Sequence, residues 1–230
     1  MGQCVWCGSK SVFLSVDKNS LCSRCRSLIN FDLQQRLRII EESQEIIKKT
    51  SNFKTLLHRI DTILEHLQAL KAYEVKKIPT IIPPPTDSEN ALIQKKEEII
   101  NDNIMQEIGK IMNKAGLGLT AKSKINEANK AILLISERRN ELNNPEKIIN
   151  LGNKEKEIKN FIHDTKLNEF LEEAKKAEFK GQRAKALDKY QEALYYLQTD
   201  EVDDIRQKEK IEEIRAKILE LSKKSGPEIA

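Results

Sequence analysis

Two pairs of cysteines near the start of the chain limit what its first residues can fold into more than any other feature does. All four cysteines of the 230-residue sequence lie there, with Cys4 and Cys7 separated by fourteen residues from Cys22 and Cys25. Each C-x2-C pair can bring two thiolates to one ion from a tight turn, and two pairs complete a tetrahedron. Gly8 directly follows the first pair, where such a turn favours a residue that can adopt positive φ. The spacing therefore predicts one metal ion held by four sulfurs.

Zinc is the ion that this ligand set favours, and its role would be structural because protein sulfur fills every coordination position. Iron in a rubredoxin-like site uses the same ligands, and the sequence does not distinguish the two metals. Two disulfides would need an oxidising compartment, yet no apolar leader precedes Cys4, so we expect reduced thiols and a cytoplasmic setting. A redox C-x-x-C would need a βαβ context, and the pattern that follows is helical.

The residues between the two pairs predict a short β-hairpin, with a strand over residues 11–16 and a turn over residues 17–20. Together with the cysteine spacing, this is the pattern of a zinc ribbon. We therefore expect a ribbon over residues 1–28.

The remainder of the chain predicts a mainly α fold, because aliphatic residues recur at intervals of three and four. Helices at about 31–49 and 53–76 are expected to form a hairpin, with one bent helix as the alternative. Helices over about 88–115 and 120–142 are expected to form a second hairpin. A short helix from Pro145, a turn at Gly152 and three further helices complete the prediction. The expected divisions are a ribbon (1–28), a helical hairpin (29–77), a proline-rich linker (78–87), a second hairpin (88–144) and a C-terminal helical unit (145–230).

The proline-rich stretch at 78–86 predicts a stiff extended spacer, since three consecutive prolines lack N–H donors and restrict φ. A simple connection is the favoured interpretation. The alternative is a polyproline ligand for a partner protein.

The excess positive charge of the chain lies in its first 38 residues, which carry six basic and two acidic side chains. Four thiolates around one Zn²⁺ would reduce this excess by two.

Trp6 lies between two metal ligands. It could stack on a base, enter a partner pocket, or cover the small core of the ribbon against Phe13 or the following helix. The residues that we consider for contact with a nucleic acid or a partner are Trp6, Lys10, Arg24, Arg26, Arg36 and Arg38.

The motifs expected of an enzyme are incomplete or missing in the sequence. Residues 116–123 are similar to a phosphate-binding loop, but Ala121 replaces its second glycine and helical patterns flank it on both sides. The three histidines show no metal-ligand spacing. We therefore predict no catalytic residues and a non-enzymatic protein, and no apolar run is long enough to span a membrane.

The apolar seam from Phe53 to Leu70 could pair within the chain or between two copies.

Two stretches resemble known families. The pattern C-x2-C-G-x4-F-L-S-x-D-K-N-x-L-C-x2-C, followed by a long helix pair, resembles the zinc-ribbon heads of uncharacterised bacterial and prophage proteins. Residues 170–197, with Ala186, Tyr190 and Ala193 at the expected spacing, resemble a single tetratricopeptide repeat. The first resemblance covers about residues 1–80 and implies a bacterial cytoplasmic setting, but it assigns no activity. From the sequence as a whole we predict a non-enzymatic adaptor of a bacterial or phage system that docks other proteins, with a nucleic-acid-binding accessory protein as the alternative.

Overall fold

The computed structural model describes residues 2–199 and 204–223, and it confirms the mainly α prediction. A two-stranded antiparallel sheet joins β1 (Gly2–Gln3) to β2 (Lys10–Ser11), with Gly2 opposite Ser11. The helices within the described residues are α1 (Ser23–Lys49), α2 (Phe53–Val75), α3 (Pro85–Gly116), α4 (Ala121–Arg138), α5 (Pro145–Phe179), α6 (Arg183–Thr199) and α7 (Asp204–Lys223). A 3-10 turn at Arg139–Glu141 follows α4. None of the described helices combines the length and apolar character needed to cross a membrane.

Polar side chains before three of the helices set where those helices begin. Asn52 accepts a hydrogen bond from the backbone N–H of Thr55, and Thr120 accepts one from Ser123. Asn144 accepts a hydrogen bond from the N–H of Glu146. Each bond satisfies a donor that the first turn of a helix leaves unpaired. The predicted breaks before α2, α4 and α5 are therefore confirmed.

Helices α3 and α5 differ from the prediction, the first at its start and the second in its continuity. Helix α3 begins at Pro85 rather than after Asp87, because the first helical position needs no N–H and the fixed φ of proline suits it. Helix α5 continues through Gly152, where a turn was expected. Leu151 and Ile158 on either side are buried, and their packing offsets the modest helix cost of one glycine.

The predicted strand over residues 11–16 is also wrong. Only Lys10–Ser11 pairs as a strand, and an isolated bridge joins Val16 to Cys22. A turn interrupts the segment, since the N–H of Leu14 donates to the carbonyl of Ser11. Phe13 within this turn is 95% exposed, so its side chain gains no core contact that would favour an extended strand.

The chain divides into two compact units, Met1–Asn103 and Ile104–Ala230, so that the division falls within α3. The proline-rich segment does not divide them. Ile78 is buried and Ile81 packs against the core of unit 1. Thr86 donates to the Glu74 carboxylate from both its backbone N–H and its hydroxyl. These contacts attach the segment to α2.

In unit 1, α1 and α2 form the expected antiparallel hairpin. The Tyr73 hydroxyl reaches Asp32, while Arg36 reaches His66, so residues early in α1 meet residues late in α2. The predicted seam of α2 is buried at Ile60, Ile63, Leu67 and Leu70. That seam therefore pairs with α1 of the same chain.

In unit 2, the C-terminal part of α3 and α4 run antiparallel. Ion pairs join Lys114 to Glu127 at 3.7 Å and Arg138 to Glu107 at 3.3 Å. Helices α5, α6 and α7 share a second core, in which small side chains allow close helix approach. Ala174, Ala186 and Ala193 are fully buried there. The C-terminal helix was predicted to use Val202 and Ile205, and the side chains of both lie outside the described residues.

Tyr190 offers a pH test of the core of unit 2. Its side chain is buried among α5, α6 and α7, and its hydroxyl donates to the Glu178 carboxylate at 3.2 Å. Burial first, and then the nearby charge of Glu178, raises the pKa of Tyr190 to about 12, above the ordinary value of about 10.

A folded-state pKa above the unfolded value means that Tyr190 contributes stability below about pH 10 and loses that contribution as the pH rises to about 12. We expect absorbance at 295 nm, taken as wild type minus Tyr190→Phe, to show a phenol titrating near pH 12 in the folded protein. The Tyr190→Phe variant should lose less stability over this pH range than the wild type does. Tyr195→Phe, at a 70% exposed tyrosine, is the matched control. A midpoint near pH 10 in the titration of this absorbance difference would contradict the buried placement of Tyr190.

Candidate metal centre

The first cysteine pair lies on a tight turn that directs two sulfurs to the same side. The N–H of Gly8 donates to the carbonyl of Cys4 at 2.9 Å, and the N–H of Cys4 donates to Ser9 at 3.0 Å. Gly8 has φ +75, a conformation that residues with a side chain rarely adopt. The predicted need for glycine after the first pair is therefore met in the turn.

The second cysteine pair lies at the start of α1 rather than in a second hairpin turn. Cys22 is the N-cap residue in an extended conformation, and Cys25 lies in the first helical turn. Helix α1 consequently begins at Ser23, eight residues before the predicted start.

A four-residue turn leads the chain into this second pair. The Asp17 carboxylate accepts hydrogen bonds from the N–H groups of Asn19 and Leu21, both at 2.9 Å. Ser20 has φ 57. The predicted turn over residues 17–20 is confirmed.

The four sulfurs of Cys4, Cys7, Cys22 and Cys25 lie within 4.8 Å of one another. A tetrahedron with metal–sulfur distances of about 2.3 Å has sulfurs about 3.8 Å apart, so small side-chain adjustments would close the site on zinc. Cys4 and Cys25 are buried, while Cys7 is exposed. None of the four forms a disulfide. Within residues 2–199 and 204–223, this is the one cluster of three or more metal-type side chains close enough to share an ion.

The environments of two sulfurs fit a site that receives a cation. Burial by itself would raise the pKa of Cys4, but N–H groups of Cys7, Cys22 and Trp6 directed at its sulfur lower that pKa to about 6. The Cys22 N–H lies 3.4 Å from that sulfur. Burial, and then the neighbouring sulfurs, raise the pKa of Cys25 to about 12. A bound cation would favour the thiolate form of Cys25, which burial and the neighbouring sulfurs disfavour.

An aromatic contact joins the cysteine turn to the helical hairpin, in addition to the packing of Cys4 in the shared core. The Trp6 ring stacks on the Tyr73 ring of α2, with centroids 5.0 Å apart and planes 25° apart. Phe13, the partner considered from the sequence, points away and is exposed. Trp6 itself keeps 38% of its surface exposed, so the stack covers only part of it. The stack fixes the orientation of the first cysteine turn relative to α2.

A polar chain continues from this stack across the hairpin. The Tyr73 hydroxyl donates to the Asp32 carboxylate at 2.6 Å, and Arg36 Nε donates to the same oxygen at 2.8 Å. Burial would raise the pKa of Asp32, but the bonds from Arg36 and Tyr73 outweigh it and lower that pKa. Burial, and then Asp32, raise the pKa of Tyr73 to about 12. At neutral pH, Asp32 therefore accepts as a carboxylate and Tyr73 donates as a phenol.

Removing the Tyr73 hydroxyl should remove the hydrogen bond to Asp32 and leave the ring stack with Trp6 in place. We expect Tyr73→Phe to keep the Trp6 stack but to lower the free energy of unfolding by roughly 1.5–3 kcal/mol, as for other hydrogen bonds to charged groups. Urea unfolding followed by Trp6 fluorescence measures this, because Trp6 is the single tryptophan. Tyr195→Phe, at an exposed tyrosine, is the control and should leave the midpoint unchanged. Equal midpoints for the two variants would show that the Asp32 bond contributes nothing.

The basic side chains considered from the sequence have different surroundings. Arg36 is held by Asp32 and His66, and Arg38 pairs with Glu42 at 2.8 Å. Lys10, Arg24 and Arg26 are exposed, and none of them forms an ion pair with a described acidic side chain. Arg24 lies on the first turn of α1, although the sequence had indicated a tight turn for each C-x2-C pair. The structure therefore reduces the free basic surface predicted for α1.

Sequence reasoning missed the part of this site that comes from α2. The end of α2 brings Val75, Lys76 and Lys77 beside the first cysteine turn, together with Gln3 and Ser20. Val75, Lys76 and Lys77 are about seventy positions away from Trp6 in the sequence. The antiparallel heptad seam could have located the end of α2 near the start of α1. We call residues 2–31 the head. Only the Trp6–Tyr73 stack shows which side of the head faces the end of α2.

The segment over residues 116–123 is similar in sequence to a phosphate-binding loop, but we predicted it to be a connection between two helices. It connects the end of α3 to the start of α4, and no described strand precedes it. The helix-to-helix connection expected from the sequence is confirmed.

No protein-family model matches this chain, and no curated protein and no solved structure matches it significantly.

Proposed function

We propose that the four cysteines bind one Zn²⁺ and that the protein is a non-enzymatic adaptor that docks other proteins through the surface that this metal holds in place. The observation that carries the proposal is the convergence of four sulfurs within 4.8 Å, two of them buried in the core of the α1–α2 hairpin. Four protein sulfurs leave no coordination position for a reacting molecule, so the metal's role is structural. Iron is the alternative metal. Reduced cysteines suit a cytoplasmic setting.

The exposed apolar side chains of the head support protein docking. Val12 and Phe13 are 72% and 95% exposed on the turn between the cysteine pairs. Leu28 and Phe31 are also exposed and lie three residues apart on α1, so they share one helix face. Exposed apolar side chains that form one patch are typical of surfaces that other proteins cover, and we propose that these four side chains contribute to such a patch. The metal would fix the turn and the helix start that present these residues.

The proposal is tested by affinity capture from the native host with nuclease-treated lysate. Wild type is compared with a Val12→Ser, Phe13→Ser double variant and with a control that carries Leu117→Ser and Leu119→Ser, two leucines exposed in unit 2. We expect a reproducible set of captured proteins to be lost with the head variant and retained with the control. Identical capture by all three proteins would contradict docking through the head.

The second candidate function is nucleic-acid binding, which the unpaired Lys10, Arg24 and Arg26 favour. Phosphate contacts would make log K fall with log salt by nearly one unit for each contact. Gel shifts with single- and double-stranded DNA and RNA at two salt concentrations test this candidate. Arg24→Glu with Arg26→Glu should then abolish the shift. Absence of a shift at low salt would remove this candidate.

A further inference from the structure

We propose that a shallow concavity beside the first cysteine turn is a docking site in addition to the exposed apolar side chains of the head, and that it receives an acidic peptide segment carrying one apolar side chain. We call this site the knuckle concavity. It is open to solvent and has a volume of about 630 Å³. Besides the cysteine turn itself, its lining residues are Gln3, Trp6, Ser20, Val75, Lys76 and Lys77. This inference rests on the proposed function and names the partner chemistry.

The apolar part of the knuckle concavity consists of Trp6 and Val75. Trp6 is held in place by the stack on Tyr73, and its remaining 38% exposure leaves ring surface for a ligand. Val75 is the last residue of α2 and is 79% exposed, whereas Leu70 and Tyr73 earlier in the same helix are buried. A rigid aromatic ring beside an exposed aliphatic side chain is a suitable receptor for a single apolar anchor, as at the centres of protein interfaces.

The charged part consists of Lys76 and Lys77, both exposed, and neither forms an ion pair with a described acidic side chain. The adjacent carboxylate of Glu74 accepts two hydrogen bonds from Thr86 and keeps its negative charge beside the two lysines. A zinc–thiolate cluster would carry two negative charges, which these two lysines balance. The four basic residues Lys10, Lys18, Arg24 and Arg26, against the two acidic residues Asp17 and Glu74, then leave two positive charges on the head and the end of α2. An acidic segment complements that charge.

The backbone around the knuckle concavity is also unusual. Lys77 and Ser20 have φ 57, and they are the two described non-glycine residues with positive φ. Such conformations cost of order 1 kcal/mol each and concentrate at functional sites. A glycine or asparagine would fit the end of α2 more easily than Lys77 does. The lysine at this position directs a charge beside Trp6 at the expense of local backbone strain.

An acidic peptide fits this surface better than a nucleic acid does. A single strand needs cations spaced along several phosphates as well as a stacking platform. Arg36 and Arg38, which would extend the basic surface along α1, are held by Asp32 and Glu42. The two lysines and one anchor pocket instead match a short segment. An oligonucleotide is therefore the competing outcome of the test.

The first part of the test selects ligands from a random twelve-residue phage-display library on the zinc-loaded full chain. Phages that also bind the Val75→Asp, Lys76→Glu, Lys77→Glu variant are removed. All three residues are exposed, so this variant should fold. We expect the retained peptides to carry net negative charge and at least one large apolar side chain. Retained peptides that are neutral or basic, or no retained peptide at all, would overturn the inference.

The second part titrates a selected tryptophan-free peptide while Trp6 fluorescence is recorded, since Trp6 is the single tryptophan of the chain. We expect a blue shift of Trp6 emission and at least a tenfold weaker Kd for Lys76→Glu with Lys77→Glu. A matched control carries Lys122→Glu with Lys156→Glu, two exposed lysines of unit 2, and should retain the wild-type Kd. Equal weakening in both variants would indicate a general charge effect and overturn the site.

Oligo-dT and oligo-rU of twelve nucleotides are titrated in the same way. If they bind more tightly than every selected peptide, the partner is a nucleic acid and the inference is wrong. If no acidic peptide is retained while zinc is bound and the head still captures proteins from nuclease-treated lysate, the inference fails and the proposed function stands.

Discussion

Replacing Cys25 with serine should weaken zinc binding by roughly a hundredfold or more and release the head from the α1–α2 hairpin. Structural zinc binding contributes on the order of 12 kcal/mol, shared among four sulfurs, and each 1.4 kcal/mol corresponds to a factor of ten. Cys25 is also part of the core of unit 1, together with Ile29 and Leu67. Loss of the metal at this position therefore affects packing as well as coordination.

Competition with a zinc-binding dye measures the affinity of the Cys25→Ser variant, and hydrogen exchange locates the structural effect. We expect amides of residues 2–30 to lose protection, with a smaller loss along α1 and α2 and no change in unit 2. Arg24→Ser is the matched control, since it places a serine one position away at an exposed site and keeps all four cysteines. An unchanged zinc affinity in Cys25→Ser would show that this sulfur is not a ligand.

Truncating Leu70 to alanine should destabilise unit 1 by about 2–5 kcal/mol. Leu70 is fully buried in the cluster that contains Cys4, Leu67 and Tyr73, so the change removes buried methyl groups and leaves a cavity. The same cluster supports the cysteine turn. We therefore expect the variant to bind zinc more weakly as well, although Leu70 contributes no ligand.

Urea unfolding followed by Trp6 fluorescence reports on unit 1 alone, because no other tryptophan is present. Leu28→Ala is the matched control, since Leu28 is 62% exposed on α1 and the same atoms are removed. It should change the free energy of unfolding by less than about 0.5 kcal/mol. A loss in Leu70→Ala no larger than that of the control would contradict the shared core of head and hairpin.

The local features of the fold follow from the sequence because neighbouring residues determine them. The C-x2-C spacing brings the sulfurs together, and Gly8 permits the turn that carries the first pair. Asn52 and Thr120 cap helices at the expected positions. The heptad seam of α2 predicts the face that meets α1.

The features that the sequence did not predict depend on contacts between distant residues. Helix α1 begins at Ser23 because the second cysteine pair forms its first turn, whereas the pattern of two matching pairs had favoured a second knuckle. The proline-rich segment was expected to separate two parts of the chain. Ile78 and Ile81 instead pack onto unit 1, and helix formation from Pro85 continues across the division between the units.

Electrostatic surroundings were equally inaccessible from the sequence. Arg36 resembles a free basic residue in the sequence, but Asp32 and His66 surround it once the hairpin forms. Lys76 and Lys77 resemble ordinary surface lysines until the Trp6–Tyr73 stack places the cysteine turn beside them. Charge counts along the chain could not distinguish these cases.

Elemental analysis of the reduced, purified chain tests the central claim most directly. Zinc and iron are quantified together with protein, after purification without added metal and with reductant present throughout. We expect one equivalent of zinc per chain, and loss of that zinc in the Cys25→Ser variant but not in Arg24→Ser. A chain that folds and contains neither metal, or that retains its zinc when Cys25 is replaced, would contradict the assignment of the four cysteines as a zinc site.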